Sequence, residues 1–279
     1  MNISTPVIAP KTEALNRRYG ADATPKAGPW NAHLDLLLSH RSIRGYRSDP
    51  LPEGTLETLI AAAQSAASSS NLQLWSAVVV RDQATKVELA KVAGGQKHIE
   101  QCPLFLVWLA DLSRNERVAG EAKVMLEAPP HFETFLVAAV DAALAAQNAV
   151  IAAESLDLST VYIGAMRNDP LRVKELLGLP DQTMAVFGLC VGYAAADTDN
   201  EVKPRLPQPA VVFSEKYGNT EEPDLRAAYD ELMMTFSDRQ GMGAVSWSRR
   251  VLDRLGPLKS MNGRETLAAT LKAMGFPLR

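Results

Sequence analysis

Cysteine is scarce in this sequence: Cys102 and Cys190 are the only two in 279 residues. That excludes a disulfide scaffold and any CxxC metal knuckle, and it fits a reducing, cytoplasmic setting. An excess of positive charge is also missing. Lys and Arg number 29 against 32 Asp and Glu, a net charge of −3, so wholesale nucleic-acid binding is not expected while a local basic site for a small anion stays open. The four histidines, His33, His40, His98 and His131, are not paired at ligand spacing, and no catalytic metal is expected. The signatures GxSxG, Walker A and HExxH do not occur. Gly241-Met242-Gly243 is half a dinucleotide fingerprint without the third glycine or a preceding strand. No uninterrupted apolar run is long enough for a bilayer, which needs about 20 residues. The longest apolar region, 135–156, is broken by Asp141, Gln147, Asn148 and Glu154. It reads as the buried helix of a soluble protein.

The remaining composition is globular, with 47% apolar and 22% charged residues. Residues 1–29 are polar and rich in Pro, Ala and Thr, without a signal-peptide stretch. They are expected to form a flexible N-terminal extension before a single domain over 30–279. Helical spacing predicts helices over 32–38, 55–66, 85–92, 132–155, 171–177, 224–236 and 247–255. Strands are predicted at 76–81, 104–109, 160–163 and 185–193, where β-branched and apolar residues concentrate. Helices alternate with buried strands, which implies helices on both faces of a sheet. A helix as apolar as 135–156 needs partners all round it, and a homodimer interface is one way to supply them.

Five clusters carry chemical potential, each with a plain alternative. His40-Arg41-Ser42-Ile43-Arg44 could hold a phosphate by charge-assisted hydrogen bonds, or be a solvated turn. Ser68, Ser69 and Ser70, with Asn71, could line a polyol or phosphate, or be ordinary loop composition. Gly94-Gly95-Gln96 lets backbone approach a flat ligand, or is a simple turn. Tyr162-Ile163-Gly164-Ala165 leaves a buried strand where α/β proteins often place ligand-contacting backbone, or is a simple strand-ending turn. Lys203-Pro204-Arg205 puts two cations on one side of an extended strip, within reach of one phosphate, or is a linker.

In order, the segments HRSIR, SSSNLQ, GGQKH, AQNAVIAAES, VYIGAMRN, FGLCVGY and KPRLP resemble the nitroreductase/flavin reductase family. The resemblance runs over roughly residues 31–255 and points to the NADPH-dependent, oxygen-insensitive nitroreductase and FMN reductase branch. It implies an α+β fold with a mixed β-sheet flanked by helices, in an intertwined homodimer that binds FMN. The implied reaction is ping-pong two-electron transfer from NADPH, as co-substrate, to a nitroaromatic, quinone or free flavin. A sibling with a dedicated acceptor, used for dehalogenation or flavin breakdown, and a low-turnover FMN-binding protein are the alternatives. No protein nucleophile is needed, in keeping with the missing triads.

By resemblance, His40, Arg41, Ser42 and Arg44 contact FMN, with Arg44 near the pyrimidine edge. Ser68, Ser69 and Ser70 lie in the same polar turn as family serines. Gln96 meets the flavin edge, the backbone of Tyr162, Ile163, Gly164 and Ala165 meets the ring, and Lys203 and Arg205 hold phosphate. Ala165 stands where relatives carry a second glycine. Asn71 stands where they often have a bulky aromatic, so it is expected to shape the substrate pocket. Glu133 is either a residue on the substrate face or an ordinary helix N-terminal carboxylate. Arg239, in an expected mobile loop over 236–241, corresponds to an arginine that meets the 2′-phosphate of NADPH. Arg249 and Arg250 are the fallback for that contact.

Overall fold

The structure is a computed structural model and describes residues 11–198 and 200–279. Its helices are α1 (Lys11–Tyr19), α2 (Ala32–Ser39), α3 (Thr55–Gln64), α4 (Gln83–Val92), α5 (Lys97–Gln101), α6 (Ser113–Ala122), α7 (Phe132–Ser155), α8 (Pro170–Leu177), α9 (Glu222–Arg239), α10 (Trp247–Leu255) and α11 (Leu267–Ala273). Its strands are β1 (Trp75–Val80), β2 (Leu104–Asp111), β3 (Ser159–Ile163) and β4 (Thr183–Gly192). The described chain divides into two compact units. One comprises residues up to 41 with 200–260, the other 42–198 with 261–279.

The larger unit holds the sheet, in the order β1-β2-β4-β3. All three strand pairings are antiparallel. The expected mixed sheet is thus corrected: the parallel element is confined to an isolated bridge between Ser42 and Thr160 at the β3 edge. β2 is buried along its whole length and divides its side chains by the two-residue period of a strand. Leu104, Leu106 and Trp108 pack with residues of α3 and α7. Phe105, Val107 and Leu109 pack with residues of α4, α5 and α8. The α+β layering is therefore a sheet with helices on both faces.

α7 is the one helix among the described residues with the length and apolarity of a membrane span. Its inner face is made of Ala138, Ala142, Ala145, Ala146, Ala149 and Ala153, whose short side chains let the helix axis lie close to the strands. Its other face exposes Phe132, Leu136, Val140 and Leu144 at four-residue spacing. The last residues, including Met274 and Phe276, pack over Phe135 and Ala138 near the start of α7.

In the smaller unit two expectations change. Residues 11–19, read as part of a flexible extension, form α1, with Leu15 and Arg18 buried; the first ten residues of that extension lie outside the described residues. The expected loop over 236–241 is also shorter. α9 runs through Arg239, Gln240 still donates its N–H to the Phe236 carbonyl at 3.1 Å, and the helix stops at Gly241 with φ +67°. Glycine at that place ends helices because it enters the left-handed region without steric cost.

β4 contains a close approach that generates a prediction. Gly188 pairs with Val107 on one side and Ile163 on the other. A Cβ there would lie 2.4 Å from Cζ of Phe105, a fully buried ring. Gly188→Ala should therefore destabilise the protein by about 1–3 kcal/mol, the usual cost of overpacking. Urea unfolding checks this: the midpoint should fall at unchanged slope.

Candidate functional site

In the larger unit, the segment after Arg41 is pinned to the sheet edge. Ile43 donates its N–H to the Thr160 carbonyl at 3.0 Å. The Tyr46 hydroxyl donates to the Ile43 carbonyl at 2.9 Å. Both side chains are buried, and burial, with a smaller contribution from neighbouring Cys190, pushes the Tyr46 phenol well up. Arg44 stands exposed between these anchors and forms no ion pair with a carboxylate among the described residues. Its charge is felt by His98, whose imidazole is lowered first by burial and then by Arg44. Both effects favour the neutral imidazole, and its buried Nε2 has no hydrogen-bond partner among the described residues.

The serine cluster is shaped by a residue that the motif reading treated only as an interruption. Asp141, 2% exposed on the inner face of α7, accepts from the Ser68 hydroxyl at 2.8 Å, the Ser69 N–H at 3.2 Å and the Leu74 N–H at 3.1 Å. Ser68 Oγ in turn accepts from the Gln73 N–H at 2.9 Å. Between these ties Ser70, Asn71 and Gln73 take φ values of 49°, 55° and 52°. Such non-glycine conformations cost of order 1–3 kcal/mol each, while a hydrogen bond to a charged group returns about 1.5–3 kcal/mol. The two sums are comparable, so the turn exists because the carboxylate is there. Ser68 is thereby committed to the scaffold, whereas Ser69, Ser70 and Asn71 are exposed. The signal available in the sequence was a lone aspartate inside an alanine-rich apolar helix.

The glycine pair is a turn with its outer side open. Gly94 and Gly95 have φ of 76° and 80°, and an added Cβ would meet nothing within 4 Å at either. Gln96 caps the turn on itself, donating from Nε2 to the Ala93 carbonyl at 2.9 Å. Tyr162 lies on the edge strand β3 between buried Val161 and Ile163. Its ring meets Phe187 edge-on at 5.0 Å, and its hydroxyl lies 3.3 Å from Oε1 of Gln147. Gly164 opens a short 3-10 turn through Asn168, in which Ala165 is buried. Asn168 donates to the Val92 carbonyl at 3.1 Å. The 164–168 turn therefore adjoins the end of α4, where the glycine turn begins, while Ser42 bridges to the same strand two residues before Tyr162. Three of the expected segments thus gather around β3, and the serine turn is tied to α7. Glu133 is exposed in the first turn of α7.

The smaller unit carries His40, Arg41, Lys203, Arg205 and Arg239. Arg41 donates to the Asn200 carbonyl at 3.1 Å. Arg205 donates to the carbonyls of Lys203 and Pro204 at 3.2 and 3.3 Å. Neither pairs with a carboxylate among the described residues. Lys203 Nζ lies 5.9 Å from the centroid of the Phe236 ring. His40 caps the end of α2. Arg239 is engaged: its guanidinium reaches both oxygens of Glu201, at 2.8 and 3.3 Å. A cleft of about 500 Å³ runs past this pair, with Arg17, Ser39 and Arg41 also on its wall. Among the described residues no cluster of acidic, histidine and cysteine side chains suits a metal.

Two outcomes follow from this geometry. Asp141→Ala leaves two backbone N–H groups and the Ser68 hydroxyl without their acceptor, and should cost about 2–4 kcal/mol in urea unfolding. Glu201 is held below the ordinary glutamate value, first by its hydrogen bonds from Arg239. The pair is therefore fully formed above the ordinary glutamate range and lost as pH falls through the lowered value. Carboxyl NMR should show Glu201 titrating below the usual value of about 4.3 and returning towards it in Arg239→Ala.

Known proteins resemble this chain along most of its length. Residues 37–193 match the model of the nitroreductase family, and residues 203–279 that of the nitroreductase family C-terminal domain. An oxygen-insensitive NADPH nitroreductase of Salmonella typhimurium is 41% identical over 220 residues, 78% of this chain and 88% of that protein. An NADPH-flavin oxidoreductase of Vibrio harveyi is 37% identical over 227 residues, 81% of this chain and 91% of that protein. The solved structure of the NADPH:FMN oxidoreductase from Vibrio harveyi in complex with NAD+ superposes with a TM-score of 0.79 at 35% identity, covering 89% of this chain and all of that one. This chain belongs to the nitroreductase family.

Proposed function

We propose that the protein is an FMN-dependent NAD(P)H oxidoreductase that passes two electrons from NADPH to a small acceptor: a nitroaromatic, a quinone or free flavin. The observation that carries the reading is a set of cations without anionic partners among the described residues. Arg41 and Arg205 bond backbone carbonyls, and Arg44 pairs with no carboxylate among the described residues. Elsewhere on the chain arginines such as Arg172, Arg226 and Arg249 do pair with neighbouring carboxylates. Cations held by backbone alone suit a phosphorylated, electron-accepting ligand, and the donor set fits FMN. FMN would supply the two-electron chemistry when bound.

The chain's own residues have these roles in the proposal. Lys203 and Arg205, with His40 and Arg41, hold the phosphate. Ser42, Ser69, Ser70 and Gln96 offer hydroxyl and amide groups, and Ser68 acts through the turn it closes. The backbone of Tyr162, Ile163, Gly164 and Ala165 meets the flat ring, with the open Gly94-Gly95 turn beside Gln96. Arg44 lies near the pyrimidine edge and favours the negative charge that gathers there on reduction. Asn71 and Glu133 face the acceptor. Arg239 takes the 2′-phosphate of NADPH, which requires that phosphate to displace the Glu201 carboxylate.

The proposal includes a soluble, cytoplasmic homodimer. The exposed row Phe132, Leu136, Val140 and Leu144 on α7 supports it, because a continuous apolar stripe on a central helix is suited to burial against a second copy.

The test of the reading is the absorbance of the purified protein before and after anaerobic NADPH. A yellow protein that bleaches supports it; a protein that takes up no FMN sinks it. Sedimentation should give twice the monomer mass. Arg205→Ala should weaken FMN binding about tenfold to a hundredfold, the worth of a charge-assisted hydrogen bond. Arg44→Ala should instead lower the flavin midpoint potential. Arg239→Ala should raise KM for NADPH about tenfold and leave NADH nearly unchanged, an effect that shrinks with added salt.

A further inference from the structure

α1 precedes the residues matched by the family models, which begin at residue 37, and nothing so far gives it a role. Its Arg18 is 7% exposed, a charged side chain taken almost wholly out of water. The guanidinium donates to the carbonyls of Leu38 at 2.6 Å, His40 at 3.3 Å and Lys203 at 2.8 Å. The Arg18 carbonyl accepts the N–H of Arg205 at 2.8 Å. One residue therefore ties together the end of α2, just before Arg41, and the strip 203–205.

The strip is held from a second side. Tyr229 of α9, itself buried, donates its hydroxyl to the Pro204 carbonyl at 3.0 Å. Lys203 O, Pro204 O and Arg205 N are thus each bonded to Arg18 or Tyr229, and proline has no N–H to satisfy. The backbone is committed in this way, and the side chains of Lys203 and Arg205 that it carries are exposed. A buried guanidinium is tolerated when carbonyl oxygens replace its water, and its planar fork suits several fixed acceptors at once.

We infer that α1 is a positioning element of the phosphate subsite, with Arg18 holding the His40–Arg41 and Lys203–Arg205 segments in one arrangement. The inference rests on the proposal that these segments hold the FMN phosphate. Arg18 touches no ligand; it fixes the backbone that carries the cationic side chains.

Riboflavin, which is FMN without its phosphate, separates this role from a general contribution to folding. Dissociation constants of FMN and riboflavin are measured by flavin fluorescence on the full-length protein and on Arg18→Met, Arg18→Lys, Tyr229→Phe and Arg205→Ala, alongside thermal melts. Arg18→Met should weaken FMN about tenfold or more and riboflavin less than twofold. Arg18→Lys, which keeps the charge but loses the fork, should fall between. Tyr229→Phe removes one hydroxyl, and is the milder variant if Arg18→Met does not fold. It too should lower FMN affinity selectively. Equal losses for both flavins in Arg18→Lys and Tyr229→Phe would make the ties merely structural and overturn the inference. So would an unchanged ratio in those variants when Arg205→Ala loses FMN selectively. If Arg205→Ala also leaves FMN affinity unchanged, the phosphate reading of the strip fails first and the inference falls with it.

Discussion

The closeness of α7 to the sheet is the constraint from which much of the larger unit follows. Six alanines on one face permit that approach, and once the helix is there no water reaches its inner side. A carboxylate on that side must then find donors within the protein, because an unpaired buried charge is among the most costly features a fold can carry. Asp141 finds them in the segment after α3, and that segment takes left-handed conformations at Ser70, Asn71 and Gln73 to deliver its N–H and hydroxyl groups. The serine turn is therefore a consequence of helix packing as much as of its own composition. The strained backbone sits among residues proposed to meet ligand, and it is held by a charge rather than by loop sequence.

Much of this was legible before the structure. The strands and the central helix could be placed because their signals are strong and local: three consecutive valines in β1, an unbroken apolar run in β2, and an apolar helix of 24 residues in α7. What escaped was set by distant partners. α1 has no apolar stripe to announce it, since its buried face consists of Ala14, Leu15 and the arginine Arg18, and only the carbonyls of the smaller unit explain that burial. α9 passes through the polar Ser237-Asp238-Arg239, which reads as loop in isolation. Ser237 is nevertheless fully buried, and Arg239 is fixed by Glu201. The antiparallel sheet was missed for a different reason: strand direction depends on connections that hydropathy does not encode.

The site residues divide the same way. Their chemical type was legible, because clusters of arginine, serine and glycine in a fixed order are visible in one dimension. Their state was not. Ser68 looked the best placed of the three serines to meet a ligand, and the structure commits its hydroxyl to Asp141 and Gln73 while leaving Ser69 and Ser70 exposed. Lys203 and Arg205 looked like a matched pair. In the structure one lies by the Phe236 ring and the other folds back on backbone carbonyls.

Under the proposed function, the pairing of Arg239 with Glu201 would bear on how the protein chooses its nucleotide. A carboxylate in the fork of an arginine imitates one edge of a phosphate, so the cation is kept oriented and solvated while no ligand is present. Any phosphate that takes its place must first release Glu201 to water. Both side chains are about half exposed, and an exposed pair of this kind is worth about 0–1 kcal/mol, so the release is cheap. A dianionic phosphate brings more charge to the same fork than a carboxylate does, and the exchange runs in its favour. A ligand without phosphate offers no such replacement and leaves the pair closed. In the proposed reading, discrimination would then arise from an exchange of partners at a preformed arginine, on a helix α9 that continues through Arg239 itself.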